Sequence, residues 1–433
     1  LLHNNEPLAL KFDVDVALDA SLSDTYFSRA TINDSQYEIA SMDKMHTPAG
    51  SPAQMVVLHY EVSGVDLRLT EAVRTRRANL PKGYAFKALK VAPRVAVNAS
   101  PARRIVPLVK QPVLFNVDIE ILNNDPKGTR GTLRLDAPAS WQITPASIAV
   151  SLDQPGQQEQ YSFQVAAQGM DTRAYNVKAV FESNGVLYSE GYETVDQEGL
   201  ETHYLYKPAQ VEVHGLEVDI AEGLNIGYIM GVGDAVPDAI SQLGANVSLL
   251  SAEDLESGAL DPYDTIVVGT RAYAVRQDLL RFNNRLMDYA RDGGHVLVLY
   301  QTPEYVPAQM APYPAELPRS AEEISEEDAP VTILEPDHAV FQYPNKITVT
   351  DFDHWVEQRG SKFFSSWDDA YLPLIVSQDT NQDPQKGGWL MADLEGGHFT
   401  YFAYAIHRQA PFAVPGALRI FANLLSYNKR PGR

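Results

Sequence analysis

Near Gly223 the spacing of apolar residues along the chain changes, and that change limits the folds open to it. Before it, short runs alternate apolar with polar residues or are rich in β-branched ones. Examples are QMVVLHYEVSG (54–64), PVLFNVDIEILNN (112–124), GTLRLDAP (131–138), EQYSFQVAAQ (159–168) and RAYNVKAVFES (173–183). Pro, Gly, Asn and Asp clusters separate them, and NNDPKGTRG (123–131) is a strong turn signal. Strands at this spacing, without helical periodicity, predict antiparallel sandwiches. After Gly223 strands and helices alternate. LNIGYIMG, ANVSLLS, DTIVVGT and HVLVLYQ read as strands. DAVPDAISQLG reads as a helix closed by Gly244, and RQDLLRFNNRLMDYARDGG as one closed by Gly293 and Gly294. This order predicts a parallel sheet with right-handed crossovers, its TIVVG and VLVLY strands buried on both faces. GGWLMADLEGGHFTYFAYAI then predicts a hairpin and VPGALRIFANLLSY a closing helix.

A chain of 433 residues is too long for one core, so two to four domains are expected. The pattern places a β-sandwich at 1–105, a second at 106–205, and a flavodoxin-like α/β domain with a mainly parallel sheet at 206–433. The chain opens at Leu1-Leu2-His3 without methionine, which suggests a trimmed or mature piece of something longer.

Charge narrows the partners. With 56 acidic against 35 basic residues the net charge is −21, which argues against nucleic acid, whose phosphates need clustered Lys and Arg. No apolar run reaches the roughly 18 residues of a membrane span. The absence of cysteine excludes a disulfide framework, a Cys-ligated zinc and a cysteine nucleophile. An acidic, cysteine-free chain fits a periplasmic, secreted or cell-surface setting in a bacterium.

The chemistry-bearing candidates gather in the last domain. Gly231-Val232-Gly233-Asp234 follows its first strand, where a nucleotide-binding protein would hold a phosphate. A dinucleotide fingerprint needs a third glycine, which is missing. Asp234 instead is expected to cap the next helix, with Pro237 in its first turn. A carboxylate there competes with a phosphate for the same N–H donors. The readings are a capped turn or a small-molecule or sugar pocket lined by Gly231, Gly233 and Asp234. Arg271, Tyr273 and Tyr300 are placed at the same sheet edge. An amidotransferase or related hydrolase would carry its Cys or Ser at the end of VLVLYQ; Tyr300 and Gln301 stand there instead. DFDHWVEQRG (351–360) could line a sugar cleft, with Trp355 stacking on a pyranose, or form a lid held by salt bridges. His295, His338, His354, His398 and His407 show no metal-ligand spacing, and no metal or cofactor is expected in this chain. PRSAEEISEEDAP (318–330) reads as an exposed acidic loop or short solvated helix.

Several of these stretches together resemble one family. LNIGYIMGVGDAVPDAISQLGANVSLLSAEDLESGALDPYDTIVVGTRAYAVRQDL, NKITVTDFDHWVEQRG and DPQKGGWLMADLEGGHFTYFAYAIHRQAPFAVPGALRIFANLLSY are similar to the C-terminal module of large bacterial PIG-L (LmbE-like) deacetylases; TRGTLRLDAPASWQITPASIAVSL resembles the β domain before it. The resemblance implies Ig-like β domains of the NPCBM-associated kind, then a degenerate class I glutamine amidotransferase-like domain. In that family a zinc-dependent de-N-acetylase domain comes first and carries an H-P-D-D-E motif. This chain has no H-P-D-D, so no catalytic residue carries over, and zinc is expected only in an upstream domain.

Three readings remain open. The chain is a non-catalytic accessory region, binding a glycan, docking, or spacing an upstream deacetylase domain. Or its α/β domain is a hydrolase using Asp234, Arg271, Asp353 and His407. Or it is a cell-surface structural component paired with another surface protein.

Overall fold

A computed structural model describes residues 9–432 except 14–15, 18–19, 30–33, 35, 48–49 and 109–111. The opening Leu1-Leu2-His3 lies outside them.

Among the described residues two sheets form one sandwich, whose strands span 95–216 where the sequence pattern places 106–205. Its first sheet runs Ile148–Leu152, Thr129–Asp136, Ala174–Ser183, Gln210–Leu216, Arg103–Pro107, with Val186–Tyr188 paired beside Ala174–Ser183. Its second runs Gln142–Thr144, Gln158–Ala167, Val113–Asn123, Val95–Ser100. The alternation read from the sequence is what buries one face of each strand. Along Val113–Asn123, Phe115, Val117, Ile119 and Ile121 point inward while Leu114, Asn116 and Asp118 face out. Trp141 sets its ring edge-on to Phe115 at 6.0 Å in this core. The boundaries moved because Val95–Ser100 and Gln210–Leu216 each supply alternating valines that complete a sheet. Arg103–Pro107 pairs in parallel with Gln210–Leu216, from Arg103 beside Glu212 to Pro107 beside Leu216.

The first sandwich expected, at 1–105, is not what the described residues form. Met55–Val62 and Val65–Ala72 make one hairpin, Arg74–Asn79 and Gly83–Ala88 another, and no further strand joins either among those residues. Ser63 and Gly64, both at positive φ (52° and 81°), make the tight two-residue turn of the first hairpin. Its alternating pattern is real, but no second sheet among the described residues covers it.

The last region is built on a seven-stranded sheet. In chain order its strands are β1 Asn225–Ile229, β2 Asn246–Leu249, β3 Thr265–Val268, β4 His295–Leu299, β5 Leu372–Pro373, β6 Trp389–Asp393 and β7 His398–Phe402. Across the sheet they run β2-β1-β3-β4-β7-β6-β5. The first five in this order are parallel; β6 is antiparallel to β7, and β5 antiparallel to β6. The helices are α1 Val236–Leu243, α2 Ala252–Ser257, α3 Ala272–Val275, α4 Gln277–Arg291, α5 Ile406–Gln409 and α6 Pro415–Ser426. Gly244 ends α1 in the left-handed conformation at φ 104°, as its sequence position predicts. α4 turns Leu279, Asn283, Leu286, Met287 and Ala290 onto the sheet, a helical stripe of one face. α6 is buried almost all round, with Arg419 reaching out to the Asp351 carboxylate.

The long connection between β4 and β5 forms two small antiparallel pairs of its own, Ala315–Glu316 with Ser366–Trp367 and Glu323–Ile324 with Gly360–Ser361, and a third strand, Val331–Ile333, pairs with Ile375–Ser377 just beyond β5. The acidic stretch 318–330 is largely the exposed loop its composition predicts, with Glu323–Ile324 as a short strand that pins it down. Ile324 and Ala329 are buried within it. Its carboxylates have work to do: Glu326 accepts from Thr380 and Glu327 from the Glu357 N–H.

At their starting ends the central strands are closed by a polar cluster. Thr265 Oγ1 donates to the Leu425 carbonyl, so it accepts from His295 Nδ1; His295 Nε2 then takes the Thr400 hydroxyl at 2.8 Å. Arg430 donates both its terminal nitrogens to His398 Nε2 at 3.2 Å, so His398 directs Nδ1–H to Asp393 at 2.7 Å. Sandwich and sheet also meet directly. Ile105 N–H donates to Gln242 of α1 at 2.7 Å, and Ile105 and Leu216 enter the sheet's core.

Candidate functional site

At the opposite, C-terminal edge of the parallel strands the loops after β1, β3, β4 and β7 come together. The β1 loop is pressed onto the β3 loop. A Cβ on Gly231 would lie 1.9 Å from the Thr270 carbonyl oxygen, so only glycine fits, and Val232 N–H donates to that same oxygen at 3.1 Å. Gly233 follows at φ 94°. The Asp234 carboxylate accepts the Tyr228 hydroxyl at 2.9 and 3.1 Å and the Val236 N–H at 3.1 Å. It thus serves the first N–H of α1, as expected, but from one residue before the cap position, which is Ala235. Burial, with the Asp234 charge, holds the Tyr228 hydroxyl far above the usual phenol range, so it stays a donor.

The β3 loop places Arg271 in the left-handed region (φ 54°), its N–H donating to the Tyr300 carbonyl at 2.9 Å. Its side chain is exposed. Glu304, on the β4 loop, has its carboxyl held low first by the Thr302 hydroxyl, and further by the charges of Arg271 and Arg319.

Beside Tyr300, Gln301 is wholly buried. Its Nε2 donates to the Gly269 and Leu299 carbonyls at 2.8 and 3.0 Å, and its Oε1 accepts the Tyr273 N–H at 3.2 Å. The position that would carry a nucleophile thus holds an amide that fastens the β3 loop to the end of β4.

His407, on α5 just beyond β7, lies over the Tyr300 ring at 5.7 Å and 30°. Burial pulls its pKa down to about 4. The Arg408 charge adds to this, while Asp234 and Glu357 oppose it. The imidazole is neutral at pH 7, and among the described residues no hydrogen-bond partner takes either ring nitrogen.

So the structure gathers Gly231, Gly233, Asp234, Arg271, Tyr300 and His407 at one edge. It does not bring in the rest. Tyr273 is buried, donating to Asn283 at 2.6 Å and packed on Tyr305, and has no face to offer a ligand. Trp355 is buried too: its Nε1 donates to the Asp351 carbonyl and its ring stacks on Phe352, so it cannot be a sugar platform. Asp353 is exposed on the long β4–β5 connection, away from these four loops in the chain. Among the described residues no three His, Asp or Glu side chains converge to hold a metal ion. Sequence reasoning placed Gln301 at this strand end but not its three hydrogen bonds, and it missed Tyr228. A polar-tipped residue within an apolar strand is the signal that could have marked Tyr228.

The edge therefore presents a neutral imidazole and a phenol ring beside a carboxylate and a guanidinium, a set suited to hydrogen-bonding an uncharged ligand rich in hydroxyls.

No protein-family model matches the chain, and no curated protein does either. Among solved structures, a nematode (C. elegans) MSP family member, WR4, is similar over 28% of this chain and 97% of its own, at 10% identity and TM-score 0.17. The PapD-like domain 7 of human CEP192 covers 30% of this chain and 92% of its own, at 12% identity and TM-score 0.19. A family 123 glycoside hydrolase from Clostridium perfringens covers 48% of this chain and 38% of its own, at 8% identity and TM-score 0.19. Likeness at this level transfers no function.

Proposed function

We propose that the α/β region is a non-catalytic ligand-binding module for neutral glycans, carried on the sandwich as a rigid spacer. The fold reading behind this is a flavodoxin-like, degenerate amidotransferase-like domain, which the strand order β2-β1-β3-β4-β7 supports. In such sheets ligands sit beyond the C-terminal ends of the strands. The observation that carries the proposal is Gln301: the place of a nucleophile is occupied by a side chain whose amide is fully spent on backbone partners. What the edge still offers are Tyr300 and His407, a ring pair with free polar atoms. The hydrolase reading is weaker, because the Asp234 carboxylate is already engaged by Tyr228 and Val236. The resemblance to the PIG-L C-terminal region adds the context of an extracytoplasmic bacterial carbohydrate de-N-acetylase, with zinc and catalysis belonging to its own separate domain.

Titration calorimetry of the full chain with chitooligosaccharides and other neutral oligosaccharides tests this. Saturable binding is expected, weakened at least tenfold by Tyr300→Ala or His407→Ala. A panel that gives no heat with the intact chain, or binding untouched by both substitutions, defeats the proposal. Release of acetate from N-acetylglucosaminides by this chain with added zinc would defeat its non-catalytic part.

A further inference from the structure

The hairpin Met55–Val62/Val65–Ala72 is amphipathic, and no strand or helix among the described residues covers its apolar side. Cross-strand register puts Leu58 opposite Leu69, Tyr60 opposite Leu67 and Val62 opposite Val65 on one face. These six residues are 38% to 58% exposed. The other face carries His59 opposite Arg68 and Glu61 opposite Asp66, with Val57 opposite Thr70 and Met55 opposite Ala72 toward the open end. A lone two-stranded hairpin is marginally stable in water and needs a partner for its apolar side. The six side chains offer roughly 500 Å² of apolar surface, near the top of the ~300–600 Å² found as the largest patch on ordinary monomers.

We propose that this face is a homodimer interface, two hairpins stacking face to face about a two-fold axis into a small sandwich. Area favours a second copy as the occupant: two such faces remove about 1,000 Å² from water, the lower limit for a specific interface. Charge allows it as well. The face has no charge at its centre, Glu71 standing opposite Val56 at the open end, so a two-fold contact brings no like charges together there. A charged polymer or peptide would find no charge among the six apolar side chains to pair with, Glu71 lying beyond them at the open end. The contact is separate from the ligand edge and does not depend on it.

Sedimentation velocity on the full chain between about 1 and 100 µM reads the outcome, since an interface of this size associates weakly. The mass is expected to rise from one chain to two across that range. The double substitution Leu58→Glu/Leu69→Glu should remain a single chain throughout, with a melting temperature within about 2 °C of the parent, showing that the fold is intact. The chain has no cysteine, so single cysteines report position cleanly. A short bismaleimide should couple two Leu67→Cys chains efficiently and two Arg68→Cys chains poorly, because Arg68 faces the other way. A parent that stays monomeric at every concentration, including one that instead binds liposomes, overturns the proposal. So does a double variant that still dimerises, or equal coupling of the two cysteine variants.

Discussion

At the C-terminal edge of the seven-stranded sheet His407 lies against Tyr300, and no protein group among the described residues takes its nitrogens. At the opposite edge His295 and His398 are each held on both ring nitrogens, by Thr265 and Thr400 and by Asp393 and Arg430. Tyr427 completes that cluster, its ring stacked on His338 at 12°. The residue types are the same. One edge spends its polar groups on the fold and the other keeps them open, and that accounting, rather than the presence of histidine, separates scaffold from site.

The largest expected effect tests the spent edge. His295→Ala would leave a cavity and strip both threonines of a partner, destabilising the chain by about 3–4 kcal/mol in denaturant unfolding without changing ligand affinity. A loss below 1 kcal/mol would mean the cluster is not the lock described.

Next comes the pH response of the open edge. Because the His407 pKa falls from 6.5 unfolded to about 4 folded, the unfolded chain binds the extra proton between those values. Stability therefore rises with pH from about 4 to 6.5 and is fully present above that, a contribution of about 3 kcal/mol. His407→Gln should flatten that part of the stability–pH curve; an unchanged slope would place the titration elsewhere.

The smallest effect sharpens the comparison further. Tyr300→Ala should cost no more than about 1 kcal/mol of stability, since its ring is half exposed, while abolishing glycan binding. The contrast with His295→Ala, stability lost and binding kept, is the signature of two edges with different duties.

Much of this sheet was legible because its signals are local. The strand–loop–helix unit from Ile226 to Gly244, the α4 stripe and the hairpin of β6 and β7 follow from period and caps alone. What was hidden depends on contacts distant in the chain. Trp355 reads as an exposed aromatic among charges, yet Phe352 and Tyr404 enclose it. The acidic 318–330 stretch reads as an exposed loop and mostly is one, but the points that pin it, Gly360, Asp379 and Thr380, lie 36 or more residues from Ile324 and its neighbours along the chain. The hairpin at 55–72 shows the converse: a correct strand pattern whose covering layer the chain does not supply among the described residues.

The parallel pairing of Arg103–Pro107 with Gln210–Leu216 has a mechanical consequence. The chain enters the sandwich just before the first of these strands and leaves it just after the second. Tension between the two ends, once Val95–Ser100 peels away, pulls the two strands in opposite senses along their length. Their ladder is then loaded in shear, and its bonds must fail together rather than one by one. Tethered at both ends, this domain would resist stretching in the manner of a clasp, holding whatever it carries at a fixed reach.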